Sequence, residues 1–108
     1  MVELVEKLSD FKNIIDTNSY VAVDFFASWC GPCKALAPKF NELAKSDTWK
    51  NVVFCKVDCS NESEIGDAYA VASLPTILFY KNGKAKYKVV GNDKDAVVQA
   101  LTKLTNDN

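Results

Sequence analysis

The sequence predicts an α/β fold in which a central mixed five-stranded sheet is flanked by four helices, in the order βαβαβαββα. Apolar segments rich in β-branched and aromatic residues, such as Tyr20–Ala27 and Val52–Val57, are typical of buried strands. They alternate with segments whose apolar residues recur at helical spacing, which implies parallel strand–helix–strand units. Further on, Asn82-Gly83 lies between two apolar runs and predicts a type I′ hairpin, which adds an antiparallel pair.

The first half of the chain contains two predicted strands and two predicted helices. Val2–Val5 is short and is interpreted as an edge strand. Ser9 is a residue type favoured at helix N-caps and is expected to begin a helix through about Thr17. After the buried strand Tyr20–Ala27, a longer amphipathic helix is predicted from about Pro32 to Ser46. Its inward stripe is expected to comprise Cys33, Leu36, Phe40 and Leu43.

The second half adds three strands and two helices. Asn61 and Glu64 have the spacing of a capping box, which predicts a helix that begins there after the second buried strand. Thr76–Tyr80 and Ala85–Val90 flank the Asn-Gly turn and are expected to pair as its hairpin. Asp93 is then expected to cap the last helix. The inward residues of that helix are expected to be Val97, Leu101 and Leu104.

Length and composition indicate one globular domain that spans residues 1–108. Of the 108 residues, 48% are hydrophobic and 25% are charged, so the chain can bury a core. A net charge of −1 provides no basic face, which argues against nucleic-acid binding. No apolar run approaches membrane-spanning length, so no membrane association is expected. Met1–Glu6 carries carboxylates where a secretory leader needs basic residues, and we therefore expect a cytoplasmic protein.

Cys30 and Cys33 are the residues most strongly expected to carry chemistry. Their spacing at the start of a predicted helix places both sulfurs on one face. Cys30 would lie where free N–H groups and the helix dipole stabilise a thiolate, so it is predicted to attack a partner disulfide as the exposed cysteine. Cys33 lies on the apolar stripe and is predicted to resolve the mixed disulfide. Pro32 suits the first helical turn, and Gly31 allows close approach by a partner chain.

Two further cysteines, Cys55 and Cys59, leave another interpretation open. Together with the first pair they could supply four thiolates to a structural zinc ion. Cys55 falls inside a predicted buried strand and Cys59 just beyond it, which is not the usual arrangement of zinc ligands. A Cys-x-x-Cys pair near a strand–helix–strand unit instead favours redox chemistry, with no metal site. Cys55 is expected to be an inert buried thiol. Cys59 is expected to be a plain free thiol, and the alternative is a thiol exposed enough for oxidation, glutathionylation or dimer formation.

Longer motifs resemble those of the thioredoxin family over nearly the whole chain. The matching segments are Val23–Lys34, Ala37-Pro38, Lys56–Asp58, Leu74–Thr76, Lys81–Gly83 and Val90-Gly91. The segment Trp29–Lys34, with Asp24 six residues before the first cysteine, is the part of the match that is most specific to this family. The resemblance implies a thioredoxin fold and the activity of a protein-disulfide reductase.

The resemblance assigns a proton-transfer role to Asp24. In the family, the matching aspartate lies beneath the active site and deprotonates the second cysteine, which here is Cys33. A carboxyl group buried in an apolar strand tends to have a raised pKa, which suits proton transfer near neutral pH. Lys56 is similar to a family lysine that lies near the buried aspartate, and it is expected to tune the site.

The same resemblance implies a surface that binds substrate. Pro75 is expected to be cis and to face the cysteine pair, although sequence alone favours a trans bond. The backbone of Leu74 is expected to pair with an extended segment of the substrate. Trp29 and Gly91 are expected to complete a flat, mostly apolar surface around the cysteines.

The expected activity is reduction of disulfides in target proteins, such as peroxiredoxins, by a monomer. The family resemblance implies no bound cofactor, with electrons supplied from NADPH through a thioredoxin reductase. Two alternatives are a disulfide isomerase-like domain and a non-catalytic scaffold or binding subunit with the same fold. Isomerase domains usually carry histidine between the cysteines, and this chain contains no histidine. The intact cysteine motif argues against a scaffold as the sole role.

Overall fold

The computed structural model describes residues 1–106, which form five strands and four helices in the predicted order. The strands are β1 (Val2–Leu4), β2 (Tyr20–Phe26), β3 (Val53–Asp58), β4 (Thr76–Lys81) and β5 (Lys84–Val90). The helices are α1 (Leu8–Thr17), α2 (Gly31–Lys45), α3 (Glu64–Ala68) and α4 (Lys94–Asn106). A short 3₁₀ helix, Asp47–Trp49, follows α2 and has no counterpart among the predicted elements. No helix in the described part of the chain is both long and apolar enough to cross a bilayer.

The strands form one mixed sheet in the order β1-β3-β2-β4-β5. The central strand β2 is parallel to β3 and antiparallel to β4, where Phe25 lies opposite Thr76. The carboxyl end of β2 and the amino end of β4 therefore meet at one edge of the sheet. This topology brings the segments Cys30–Cys33 and Leu74-Pro75 to the same edge. The predicted mixed sheet with four helices is confirmed.

The sheet separates two apolar cores, as expected for strands buried on both faces. One core lies between the sheet and helices α1 and α3 and includes Phe11, Val21, Val23, Phe25, Cys55 and Ile65. The other lies between the sheet and helices α2 and α4 and includes Ala22, Leu36, Phe40, Phe54, Val97 and Leu101. Because side chains alternate along a strand, Asp24 lies on the same face as Ala22, toward α2. All the predicted inward residues of α2 and α4 are buried.

Two predicted helix starts are wrong. Ser9 lies inside α1, whose N-cap is Lys7 and lacks a side-chain cap hydrogen bond. Helix α3 begins after Ser63, whose Oγ accepts a hydrogen bond from the first turn, so the predicted capping box at Asn61–Glu64 does not form. In both segments several residues could serve as a cap. Packing of the apolar face against the sheet, rather than local preference, decides where each helix begins.

The predicted hairpin and the cap of the last helix are confirmed. Asn82 and Gly83 have φ values of 52° and 83°, as a type I′ turn requires, and they connect β4 to β5. Asp93 Oδ1 accepts a hydrogen bond from the N–H of Ala96 at 3.0 Å and caps α4. Local residue preference is therefore enough to predict both features.

Helix α3 ends in a left-handed residue that is not glycine. Ala70 has a φ of 56°. Its N–H donates to the carbonyl of Asp67 at 3.2 Å, and the N–H of Val71 donates to the carbonyl of Gly66 at 3.0 Å. This is a Schellman motif, in which glycine is the usual left-handed residue. An alanine there costs about 1 kcal/mol because its Cβ approaches the following carbonyl oxygen.

We expect Ala70→Gly to raise the free energy of unfolding by about 0.5–1 kcal/mol, since relief of this strain exceeds the extra entropy of glycine in the unfolded chain. The Ala70 side chain is exposed, so its methyl group contributes little packing. Ala68→Gly, at the exposed last residue of α3, is the matched control and should lower the free energy of unfolding by a similar amount. Urea unfolding measures both changes, and destabilisation by both substitutions would contradict the prediction.

Candidate active site

Cys30 and Cys33 lie at the amino end of α2 and are joined as a disulfide, with their Cα atoms 5.3 Å apart. Cys30 is the N-cap residue, and its Sγ accepts a hydrogen bond from the N–H of Cys33 at 3.2 Å. Pro32 lies in the first helical turn, where its missing N–H leaves no helical hydrogen bond unmade. In the reduced protein, the same N–H and the helix dipole would stabilise negative charge on Cys30 Sγ.

Both cysteines are largely covered in this disulfide form. Cys30 is 6% exposed and Cys33 is 3% exposed, so the expected contrast between an exposed and an inward cysteine is small. The exposed position predicted for Cys30 is therefore wrong for the oxidised chain, because its side chain turns toward Cys33 to form the bond. Beside the pair, Gly31 has no heavy atom within 4 Å of the position that a Cβ would occupy, which leaves open space for a partner.

The residues predicted to bind substrate lie on a surface beside the disulfide. Trp29 is 67% exposed, and Leu74 packs against the cysteine pair. The Leu74–Pro75 peptide bond is cis, as the family resemblance implies. The N–H of Gly91 donates to the carbonyl of Pro75 at 2.9 Å. Gly91 has a φ of 92°, so a larger residue would be strained there, and the space where a Cβ would lie is open.

Asp24 and Lys56 lie side by side on neighbouring strands, on the face of the sheet that α2 covers. They are direct partners in the register of β2 and β3. Both line a cavity of about 200 Å³ that Cys33 also lines. The ammonium of Lys56 lies 5.8 Å from the centre of the Phe26 ring, within the range of a cation–π contact. The structure therefore brings the carboxyl, the lysine and the second cysteine to one cavity.

Burial gives Asp24 an unusual pKa for a carboxyl group. Its side chain is 4% exposed, and Oδ1 has no hydrogen-bond partner among residues 1–106. Removal from water raises the pKa of Asp24 from 3.8 to about 7, and the positive charge of Lys56 opposes this rise. An unbonded oxygen beside a cavity of this size leaves room for a bridging water. Asp24 can therefore exchange a proton close to neutral pH.

Comparison with known proteins identifies the family in which these features occur together. A family model described as thioredoxin matches residues 2–103. The chain belongs to the thioredoxin family. It is 41% identical over 103 residues to thioredoxin 1 of Plasmodium falciparum, in a match that covers 95% of this chain and 97% of that protein. The family predicted from the motifs is confirmed.

Solved structures of the thioredoxin family share the fold. The thioredoxin of Malassezia sympodialis aligns with a TM-score of 0.90 and 32% identity, covering 97% of this chain and 91% of that one. A structure describing the thiol-resolving mechanism of yeast mitochondrial 1-Cys peroxiredoxin via glutathione/thioredoxin systems aligns with a TM-score of 0.88 and 27% identity, covering 94% of each chain. Membership of the thioredoxin family, together with the cysteine pair, makes this chain a protein thiol–disulfide oxidoreductase.

Neither of the other cysteines joins the active-site disulfide. Cys55 is fully buried in the core beneath α1 and α3, and this burial raises the pKa of its thiol to about 12. Partial burial also raises the pKa of Cys59, while a hydrogen bond with Ser63 opposes the rise. Residues 1–106 contain no group of three or more histidine, cysteine or acidic side chains placed to hold a metal ion.

Ser60 contacts the active-site segment and was not among the predicted site residues. Its Oγ accepts a hydrogen bond from the N–H of Ser28 at 2.8 Å, and its carbonyl accepts one from Trp29 Nε1 at 3.1 Å. One signal for this contact is present in the sequence, because parallel β2 and β3 end at the same edge of the sheet. That signal places the loop after β3 near Cys30, but only the strand register shows which loop residue makes the contact.

Proposed function

We propose that this thioredoxin-family chain reduces disulfide bonds in other proteins through Cys30 and Cys33. In the first step, the Cys30 thiolate bonds to one target sulfur, the target disulfide breaks, and its other sulfur leaves as a thiolate that takes up a proton. In the second step, the Cys33 thiolate bonds to Cys30 Sγ and the first target sulfur leaves. The target gains two electrons, and the chain is left with the Cys30–Cys33 disulfide. This assignment rests on the position of Cys30 at the N-cap of α2, where its sulfur accepts a hydrogen bond from the N–H of Cys33.

The second step requires Cys33 to lose its proton, and we assign the acceptor role to Asp24. Both residues line the same cavity, in which a water can connect them. With a pKa of about 7, Asp24 can take up the proton and return it to solvent near neutral pH. Lys56 tunes this acceptor because its charge favours the ionised carboxylate.

Gly31 and Pro32 are assigned a role in tuning the redox couple. Pro32 restricts the first turn of α2, which holds the N–H of Cys33 close to Cys30 Sγ. Stabilising the thiolate favours the dithiol form and makes the couple more oxidising, so the strength of this hydrogen bond is one means of setting the reduction potential. Gly31 leaves the outer side of the pair open to a target chain.

Target proteins are proposed to bind as extended segments on the surface beside the disulfide. The backbone of Leu74, held next to cis Pro75, supplies hydrogen-bonding groups for strand addition. Trp29 contributes an exposed apolar ring, and Gly91 keeps the neighbouring backbone accessible. This arrangement suits a reductase with many protein targets, because backbone contacts do not depend on the target's side chains.

Thioredoxin reductase is the proposed electron donor, using NADPH, and peroxiredoxins are among the proposed targets. The family uses no bound cofactor, so the electrons must arrive and leave as thiols. The similarity to the structure that concerns the yeast 1-Cys peroxiredoxin supports a peroxiredoxin as a target class. We further propose that the chain acts as a monomer in the cytoplasm.

Reduction of insulin, coupled to NADPH oxidation by a thioredoxin reductase, tests this function. We expect continuous NADPH consumption that depends on both the chain and the reductase. The double variant Cys30→Ser, Cys33→Ser is the control and should be inactive. An inactive wild-type chain, or a double variant that complements function as well as the wild type, would overturn the proposal in favour of a scaffold role.

The reduction potential measured against glutathione distinguishes the reductase from an isomerase-like domain. A reductase passes electrons to its targets only if its potential is more negative than theirs, so a strongly reducing value is expected when glutathione is the reference couple. A strongly oxidising value would favour the isomerase-like alternative.

A further inference from the structure

The segment Ala27–Cys30 forms a turn that leads from β2 into α2. The turn is closed by the N–H of Cys30, which donates to the carbonyl of Ala27 at 3.2 Å. Its two central residues, Ser28 and Trp29, are exposed. Exposed turn residues gain little from apolar burial, so their position depends on hydrogen bonds to neighbouring segments.

Ser60, in the loop after β3, binds both central residues of this turn. Its Oγ accepts a hydrogen bond from the N–H of Ser28 at 2.8 Å and lies 3.1 Å from Ser28 Oγ. Its carbonyl oxygen accepts a hydrogen bond from Trp29 Nε1 at 3.1 Å. The Ser60 hydroxyl therefore holds the backbone of the turn, and the Ser60 carbonyl holds the Trp29 side chain.

Ser60 is itself held in place by Asp58, the last residue of β3. The carboxylate Oδ1 of Asp58 accepts hydrogen bonds from the N–H of Ser60 at 2.9 Å and from its hydroxyl at 2.5 Å. Hydrogen bonds to an ionised acceptor are stronger than those between neutral groups. Between these two residues, the N–H of Cys59 donates to the carbonyl of Phe26 at 2.6 Å, which continues the β2–β3 pairing into the loop. The rigid sheet is thus connected to Trp29 through Asp58 and Ser60.

We propose that Ser60 is a positioning residue that holds Trp29 and the Ala27–Cys30 turn in the arrangement that a protein target meets. This inference rests on the proposed function, reduction of protein disulfides. A small disulfide reaches Cys30 without using the surrounding surface, so Ser60 affects protein targets selectively. Ser60→Ala removes the hydrogen bonds of one exposed hydroxyl, which is expected to raise the half-saturating concentration of a protein target by about three- to fivefold.

Single-turnover kinetics of the chemically reduced full chain test the proposal without any partner enzyme. Reduced wild type and Ser60→Ala are mixed with insulin over a range of concentrations, and separately with 5,5′-dithiobis(2-nitrobenzoate). For insulin, the variant should show the raised half-saturating concentration with a limiting rate within about twofold of wild type. For the small disulfide, the two rates should be equal. The Ser60→Thr variant retains the hydroxyl and should restore the wild-type value.

Ser63→Ala is the matched control, because it removes another loop serine that caps α3 but does not touch the active-site turn. It should lower stability and leave insulin kinetics unchanged. In a Trp49→Phe background Trp29 is the sole tryptophan, and Ser60→Ala should lower its fluorescence anisotropy. Unchanged anisotropy, or equal kinetic effects of Ser60→Ala and Ser63→Ala, would overturn the proposal. If wild type failed to reduce insulin, the proposed function would fail, and the anisotropy would still decide the role of Ser60.

Discussion

Cys33→Ser is expected to convert the chain from a reductase that turns over into one that stays bound to its target. Cys30 can still attack a target disulfide, but no neighbouring thiol remains to break the mixed disulfide. A well-oriented intramolecular group can act with an effective concentration of about 10⁵ M or more, so its loss should reduce turnover by at least about a thousandfold. Non-reducing electrophoresis and intact-mass measurement after mixing with insulin should show the covalent adduct.

Cys30→Ser provides the matched control for this trapping experiment. The two cysteines are bonded to each other and three residues apart, yet only Cys30 occupies the N-cap of α2. We therefore expect Cys30→Ser to form little adduct under the same conditions. Equal trapping by both variants would contradict the assignment of attacking and resolving roles. The double variant Cys33→Ser, Cys59→Ser should form as much adduct as Cys33→Ser, which excludes the partly exposed Cys59 thiol as the source of the adduct.

Asp24→Asn is expected to slow resolution of the mixed disulfide more than attack by Cys30. Asparagine cannot accept the proton of Cys33, so the second step should slow by about tenfold to a hundredfold at pH 8, while the first changes by less than about threefold. The wild-type rate of resolution should rise with pH through about 7, where Asp24 loses its proton, and the variant should lack this rise. Rapid mixing at several pH values measures both steps. Equal slowing of the two steps would contradict the assignment.

The same substitution should change how stability depends on pH. The folded-state pKa of Asp24, about 7, lies above its unfolded value of 3.8, so the unfolded chain holds fewer protons between these values. The free energy of unfolding of the wild type therefore falls as pH rises from about 4 to 7, and this decrease levels off above 7. Relative to Asp24→Asn, the oxidised wild type should lose about 3 kcal/mol between pH 4.5 and pH 8. Urea unfolding at the two pH values measures this difference, and parallel pH profiles would show that the carboxyl group is not desolvated.

Features encoded in short stretches of sequence could be predicted well. The Asn82-Gly83 turn, the Asp93 cap and the inward stripe of α2 each depend on residues that lie close together in the sequence, and all are present in the structure. The start of α3 was misplaced because Ser63 and Asn61 are both good caps, and the choice depends on contacts with the sheet. Local chemistry thus identifies that a helix exists more reliably than where it begins.

The site itself was predictable to different degrees. Asp24 interrupts an apolar strand, so its burial could be inferred from the sequence, but its partner Lys56 requires the register of β2 and β3. The cis bond before Pro75 was implied by resemblance alone, since sequence preference favours trans. Ser60 was missed because a serine in a polar loop carries no pattern of its own. Contacts between distant loops depend on the topology of the sheet, which local motifs do not encode.

The alternation of side chains along β3 also keeps two kinds of sulfur chemistry apart. Cys55 belongs to the core beneath α1 and α3, whereas the Cys30–Cys33 disulfide lies at the amino end of α2, which covers the opposite face of the sheet. A thiol exchanges with a disulfide only when one sulfur can reach the other. The backbone of the sheet stands between them, so scrambling within the molecule requires the strands to separate. The sheet therefore prevents Cys55 from exchanging with the Cys30–Cys33 pair while the chain cycles between its dithiol and disulfide forms.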